Sequence, residues 1–260
     1  MNSNFIERIG EKTIDFFFAL FGGFKIIFLS LFYLFVPSSY KEDARKNSVK
    51  QIYYTALEPL GIFLLLAALF GTALLGALIS LAISFNLQDK IGLLIIKFSI
   101  VEFAPFFTAF FIALYSSPTV YAALIEKNKI DLNAHEIALD TFMASLVPRV
   151  IAGMLSALSL GSLVILLLLF SSYVFLLFYL GMDFNNYLIT LKNAVHPNDL
   201  ILFIIKSIVF GFLAFFFPVY YALMNNKILR FAEHKLLQTI LKLLLALFFI
   251  EVLSLVLQSL

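Results

Sequence analysis

The chain has no cysteine and no tryptophan among its 260 residues, and only 13% of them are charged. Without cysteine there are no disulfides, no thiolate nucleophile and no Cys-ligated metal. Without tryptophan, any aromatic belt at a membrane interface must come from the 11 tyrosines and 32 phenylalanines. Soluble domains carry about 25% charged residues. The deficit here, with 62% hydrophobic residues and a mean hydropathy of +1.02, leaves more apolar surface than one core can hide. Lipid must cover the rest. The net charge of +2 points to neither nucleic acid nor an acidic substrate. Neither a Gly-x-x-x-x-Gly-Lys-[Ser/Thr] loop nor a Gly-rich dinucleotide fingerprint is present, so nucleotide hydrolysis falls to another chain. His135, His196 and His234 are scattered without ligand spacing, and no nucleophile–base pair stands out. No metal, cofactor or catalytic residue is expected, and the chain reads as a non-enzyme.

What is present is a series of six apolar stretches, roughly 14–36, 60–85, 91–114, 150–180, 200–224 and 236–257. Each is long enough to cross about 30 Å of hydrocarbon at about 1.5 Å per residue. The first is about 24 residues long, lacks an A-x-A-like exit and ends at Pro37, which does not suit a cleavable signal peptide. It is interrupted by Gly22, Gly23 and Lys25. Basic residues flank both ends: Arg8 and Lys12 before, Lys41, Arg45, Lys46 and Lys50 after. Cytoplasmic loops collect lysine and arginine, so residues 1–50 are expected to form an interfacial or re-entrant helix and a basic segment. The alternative is a sixth span. Five spans in residues 51–260 then leave the C-terminus outside. This arrangement puts Lys127, Lys129, Arg149, Lys227, Arg230 and Lys235 inside with the N-terminal bases, and only Lys90 and Lys192 in outer loops. The fold class is an all-α integral membrane protein. The 150–180 run exceeds a perpendicular span, which predicts tilt, a bend near Gly161 or projection outward. Residues 181–199 form the largest outer loop, with a short surface helix expected in it. Pro148 suits the first turn of a helix, and Pro105 and Pro218 predict kinks.

Lys97, Glu102, Lys206 and Glu251 are ionisable residues inside these stretches. A charge in hydrocarbon costs at least about 2.5–3.5 kcal/mol, so it faces a bundle interior, a cavity or a partner. Counted from their helix ends, Lys97, Lys206 and Glu251 share one depth, on the order of 9 Å below the outer surface. Glu102 is placed nearer mid-membrane. A polar substrate group entering the bundle could be met there by Lys97 or Lys206, with Glu251 orienting the lysines. The structural alternative for Lys97 is a stem that snorkels to the interface. Lys206 and Glu251 are expected to face each other.

The cytoplasmic loop 122–149 carries both signs of charge, with Leu132, Ile137, Leu139, Phe142 and Met143 as an apolar face. Asp131 or Asn133 could cap a short helix there, suited to a groove on a soluble partner. A plain solvated loop is the other reading.

In its motifs the sequence resembles the MlaE-type permeases, the membrane subunits of bacterial ABC transporters that work with MCE proteins on lipids. The resemblance rests on Val101-Glu102-Phe103-Ala104-Pro105, on Val147-Pro148-Arg149-Val150-Ile151-Ala152-Gly153 and on Leu191-Lys192-Asn193-Ala194-Val195. Asp199-Leu200 and the run from Ile204 to Phe210 add to it. The family's arginine and glycine are replaced by Val101 and Ala104. Its Gly-Arg-x-Gly-Ser and Ala-Glu-x-Gly segments are replaced by Leu114-Tyr115-Ser116-Ser117-Pro118 and Ala122-Ala123-Leu124-Ile125. The resemblance implies a single permease domain in the bacterial inner membrane, present as a homodimer. Its partners would be a cytoplasmic ABC ATPase subunit, a periplasmic MCE-domain protein, in some systems a STAS-domain protein, and phospholipid. Glu136, Leu139, Asp140, Phe142 and Arg149 become the candidates for coupling to the ATPase. The rival readings are a transport-inactive scaffold that anchors partners and, less favoured, an intramembrane enzyme acting on lipid.

Overall fold

A computed structural model of the chain describes residues 27–33, 36, 42–87, 90–130, 139–224 and 232–259. Among these there are helices and no strands. Of the first apolar stretch, only residues 27–33 and 36 belong to the described part, the former helical. The expected interfacial helix otherwise lies outside it. An amphipathic helix α1 (Glu42–Ile52) leads into a widened turn at Tyr53–Leu57. Helix α2 (Leu60–Ser84) follows, then α3 (Ile91–Phe98), a second widened turn at Ser99–Phe103, and α4 (Ala104–Ile130). The remaining helices are α5 (Leu139–Leu180), α6 (Phe184–Ala194), α7 (Pro197–Met224) and α8 (Ala232–Ser259).

Five of these segments are long and apolar enough to cross a membrane: 60–84, 91–126, 145–180, 197–222 and 236–258. Their outward faces carry Leu65, Leu69, Leu166, Phe170, Leu245 and Phe249, all exposed. That much apolar surface on a single chain is a lipid- or partner-facing surface. The protein is a multi-pass membrane protein.

Both widened turns precede a proline, and the reason is steric. Pro59 and Pro105 have no N–H to donate, and their rings crowd the carbonyl four residues back. Bonding one residue further along relieves the crowding: Glu58 N–H donates to Tyr53 O at 2.9 Å, and Ala104 N–H donates to Ser99 O. The second of these turns contains Glu102 and so changes where its side chain points.

Helix α7 is the centre of the bundle, packed between α4 and α5, while α8 lies on α4 and α7 and α2 lies on α5. Two glycines let α5 and α7 touch backbone to backbone. A Cβ on Gly211 would sit 2.5 Å from Gly153 O, and one on Gly153 would sit 2.5 Å from Gly211 O. Small residues at a crossing of this kind are how membrane helices gain close contact. Gly161 is a packing position too: a Cβ there would come within 3.0 Å of the Phe203 ring.

Pro218 lies inside α7 and leaves Ala214 O without its helical donor. Ser117 of α4 supplies one, its hydroxyl donating to Ala214 O at 2.7 Å. The kink expected at Pro218 is thereby stitched to a neighbouring helix. At the far end, the surface helix α6 docks through Tyr187, which is buried. Its hydroxyl donates to Leu169 O at 2.8 Å and lies 2.9 Å from Ser172 Oγ.

Two local expectations are corrected. Pro148 is in the interior of α5, nine residues past Leu139, and not in a first turn. The loop assigned to 122–149 is shorter than expected, because α4 continues to Ile130 and α5 already begins at Leu139. The helical propensity of these flanks carries both helices beyond their apolar windows, so hydropathy alone misplaced their ends.

Candidate functional site

Helix α7 brings Lys206 inward, where its side chain is only 4% exposed. It meets two carboxylates from two other elements. Nζ donates to Glu102 Oε2 at 2.5 Å and to Glu251 Oε1 at 3.0 Å. Glu251 Oε2 lies 2.9 Å from the same nitrogen without accepting a hydrogen bond. On the other side, Gln258 Nε2 donates to Glu102 Oε1 at 3.0 Å and to Ser254 Oγ at 3.2 Å. The expected Lys206–Glu251 contact is therefore one edge of a three-residue cluster.

Glu102 belongs to the same layer as Lys206, not to a deeper one. Helix α7 starts at Pro197, not Leu200, which lowers Lys206 by three residues. The widened turn then turns Glu102 toward it. Lys97 stands apart from this cluster. Its half-exposed side chain puts Nζ 3.5 Å from Asp199 Oδ1 at the start of α7, where Asp199 also accepts from His196 N–H at 3.1 Å. It pairs with Asp199 and does not join the polar layer of Lys206 and Glu251 assigned to it.

Glu102 and Glu251 border a cavity of about 450 Å³, in the range of small-molecule sites, whose accessible wall is almost wholly apolar. The cavity lies between α2 and α8 over α4. The rest of its wall is apolar: Phe70, Phe98, Phe103, Phe106, Phe107, Phe110 and Phe248, with Leu74 and Leu255. Phe103 stacks on Phe107 with centroids 5.2 Å apart, and Phe106 meets Phe248 edge-on at 5.0 Å. The arrangement can hold an apolar chain against the rings, with the carboxylates engaged by Lys206 and Gln258 behind them. With two carboxylates and one ammonium, its formal charge is negative by one.

Of the coupling candidates, Glu136 lies outside the described residues. Leu139, Asp140 and Phe142 fall in the first turn of α5, continuous with the span, and their side chains are also outside the description. Arg149 is described: Nη1 donates to Ser145 O at 2.6 Å, and the side chain lines a second cavity on the α1 side of the bundle.

Sequence reasoning cited Asp199 only as part of a motif, without its ion pair, and missed Gln258 and the aromatic wall. The wall did carry a signal, since Phe103, Phe106, Phe107 and Phe110 follow Glu102 at helical spacing. Gln258 is seven residues from Glu251, on the same helical face.

A search of curated proteins finds no match. Residues 48–257, from α1 into the last turns of α8, match the family described as Permease MlaE. The chain therefore belongs to the MlaE permeases, the membrane transport subunits of ABC-type lipid transporters.

Proposed function

We propose that this permease passes phospholipid between the bacterial inner membrane and a periplasmic MCE-domain protein, driven by a separate cytoplasmic ATPase. The observation that carries the reading is the phenylalanine-walled cavity with Glu102 and Glu251 in its wall. An acyl chain gains about 25 cal/mol for each Å² it buries against such rings. The head group then lies beside the carboxylates. Lys206 is already engaged twice, so a head-group donor meets Glu102 or Glu251 first, and a phosphate reaches Lys206 only by displacing one of them.

The basic residues around α1 and the α4–α5 connection favour the cytoplasm for that end, with the C-terminus periplasmic. Leu241, Leu245, Phe249 and Val252 form an exposed apolar stripe on α8, which a second copy of the chain would cover in a homodimer. The segment holding Glu136, Leu139, Asp140 and Phe142 docks the ATPase. Replacing Leu139 and Phe142 by aspartate should release the ATPase while the permease still inserts. Retained binding with unchanged ATP turnover removes the segment from that role.

The test of the whole reading is purification from native membranes with mass spectrometry of bound protein and lipid. An ATPase and an MCE protein together with phospholipid support it. Partners without lipid would replace it by a scaffold, and lipid turnover by the chain alone would replace it by an enzyme.

A further inference from the structure

A second cavity, of about 540 Å³, lies at the end of the bundle where α2 begins and α4 ends. Its wall is polar, in contrast to the phenylalanine cavity. Helix α1 and the turn after it contribute Asn47, Lys50, Gln51, Tyr54 and Glu58. Helix α4 contributes Tyr115 and Thr119, and α5 contributes Ser145 and Arg149.

The cations in this wall have little to hold among the described residues. A guanidinium has five N–H donors in a planar fork. Among the described residues Arg149 makes one hydrogen bond, to Ser145 O, and no ion pair. Lys50, among the described residues, meets only the Tyr54 ring, 6.0 Å from Nζ to its centroid. Among the described residues Glu58 is the one acid of the wall, and no ion pair joins it to either cation. The wall therefore has, among the described residues, a formal charge of positive one, with Arg149 partly buried and most of its fork without a partner there. The Gln51 amide donates to Thr55 Oγ1 and the Thr119 hydroxyl to Ser116 O, which leaves the Asn47 amide and the tyrosine hydroxyls as neutral donors.

The depth is also informative. Arg149 directly precedes the apolar run 150–180, and Lys50 is ten residues ahead of α2. That places the cavity at the boundary between hydrocarbon and water, the level of lipid phosphates. Arginine recognises phosphate through paired N–H groups.

We propose that this cavity binds a phosphate group, supplied by a phospholipid of the adjoining leaflet, with Arg149 and Lys50 as its cationic ligands. This site is separate from the phenylalanine cavity and does not depend on the function proposed for it.

The test uses the full chain in uncharged detergent and counts retained lipid by native mass spectrometry as dioleoylphosphatidylglycerol is added. Two retained lipids are expected if both cavities fill. Arg149→Gln and Lys50→Gln should each weaken one of them about tenfold, as loss of a charge-assisted hydrogen bond does. Arg149→Lys, which keeps the charge, should weaken it less. Lys50 lies on an exposed helix face, so its variant reads binding without a folding defect. Dioleoylglycerol, with the same tails and no phosphate, should not compete. Displacement of the lipid by millimolar inorganic phosphate would support the phosphate site and assign it to the free ion. Undiminished lipid binding in both Gln variants, or equal binding of dioleoylglycerol, would overturn the proposal. A single retained lipid that both variants lose would uphold this site and count against the phenylalanine cavity.

Discussion

Replacing Lys206 by methionine removes a cation that touches two carboxylates at once. Its side chain is 4% exposed, and those of Glu102 and Glu251 are 15% and 12% exposed, so solvent cannot replace it. Two acidic groups are left facing each other in a nearly dry layer. Breaking a buried ion pair by removing one partner costs about 3–5 kcal/mol. At about 2–4 °C per kcal/mol for a chain of this size, the melting temperature in detergent should fall by roughly 6–20 °C. The carboxylates should behave differently. Glu251→Gln leaves a one-to-one pair between Lys206 and Glu102, still supported by Gln258, and keeps an acceptor for Lys206. It removes the surplus charge and should cost within about 1 kcal/mol, the net worth of one hydrogen bond. Lys206→Met combined with Glu102→Gln and Glu251→Leu strands no charge and should recover most of the loss. Thermal unfolding of the four proteins in one detergent measures the asymmetry. Equal losses for Lys206→Met and Glu251→Gln, or a triple variant no more stable than Lys206→Met, would refute the shared-lysine arrangement.

Three further outcomes are expected. Ser117→Ala should cost about 1–3 kcal/mol by leaving Ala214 O unpaired. Adding Pro218→Ala, which restores the helical donor, should cancel part of that loss in a double-mutant cycle. Gly211→Ala forces a methyl against Gly153 O and should destabilise by about 1–3 kcal/mol, read as a lower melting temperature. Burial pushes the Tyr187 hydroxyl above its usual 10.0. A raised folded value means its contribution is complete below the unfolded value and is lost as pH rises through the folded one. Stability should therefore drop in strongly alkaline detergent solution, and Tyr187→Phe should remove that part of the drop.

The amino-acid sequence alone determined that the chain lives in a membrane, because its apolar runs are long and its charges few. It also singled out Glu102, Lys206 and Glu251, since ionisable residues in such runs stand out one at a time. The surface helix within 181–199 and the prolines of α4 and α7 were legible for the same local reason. The partners of those residues were decided only by the tertiary structure. Depth counted along a helix says how far down a residue lies but not which way it faces, and it inherits any error in the helix ends. Helix α7 begins three residues earlier than its apolar run, and the widened turn before Pro105 redirects Glu102. Those two shifts gather Glu102 and Glu251 around one lysine and send Lys97 to Asp199. The Ser117–Ala214 bond and the Gly153–Gly211 contact join residues 97 and 58 positions apart. No periodicity within a single helix can show such pairings, because they exist only once the helices are packed.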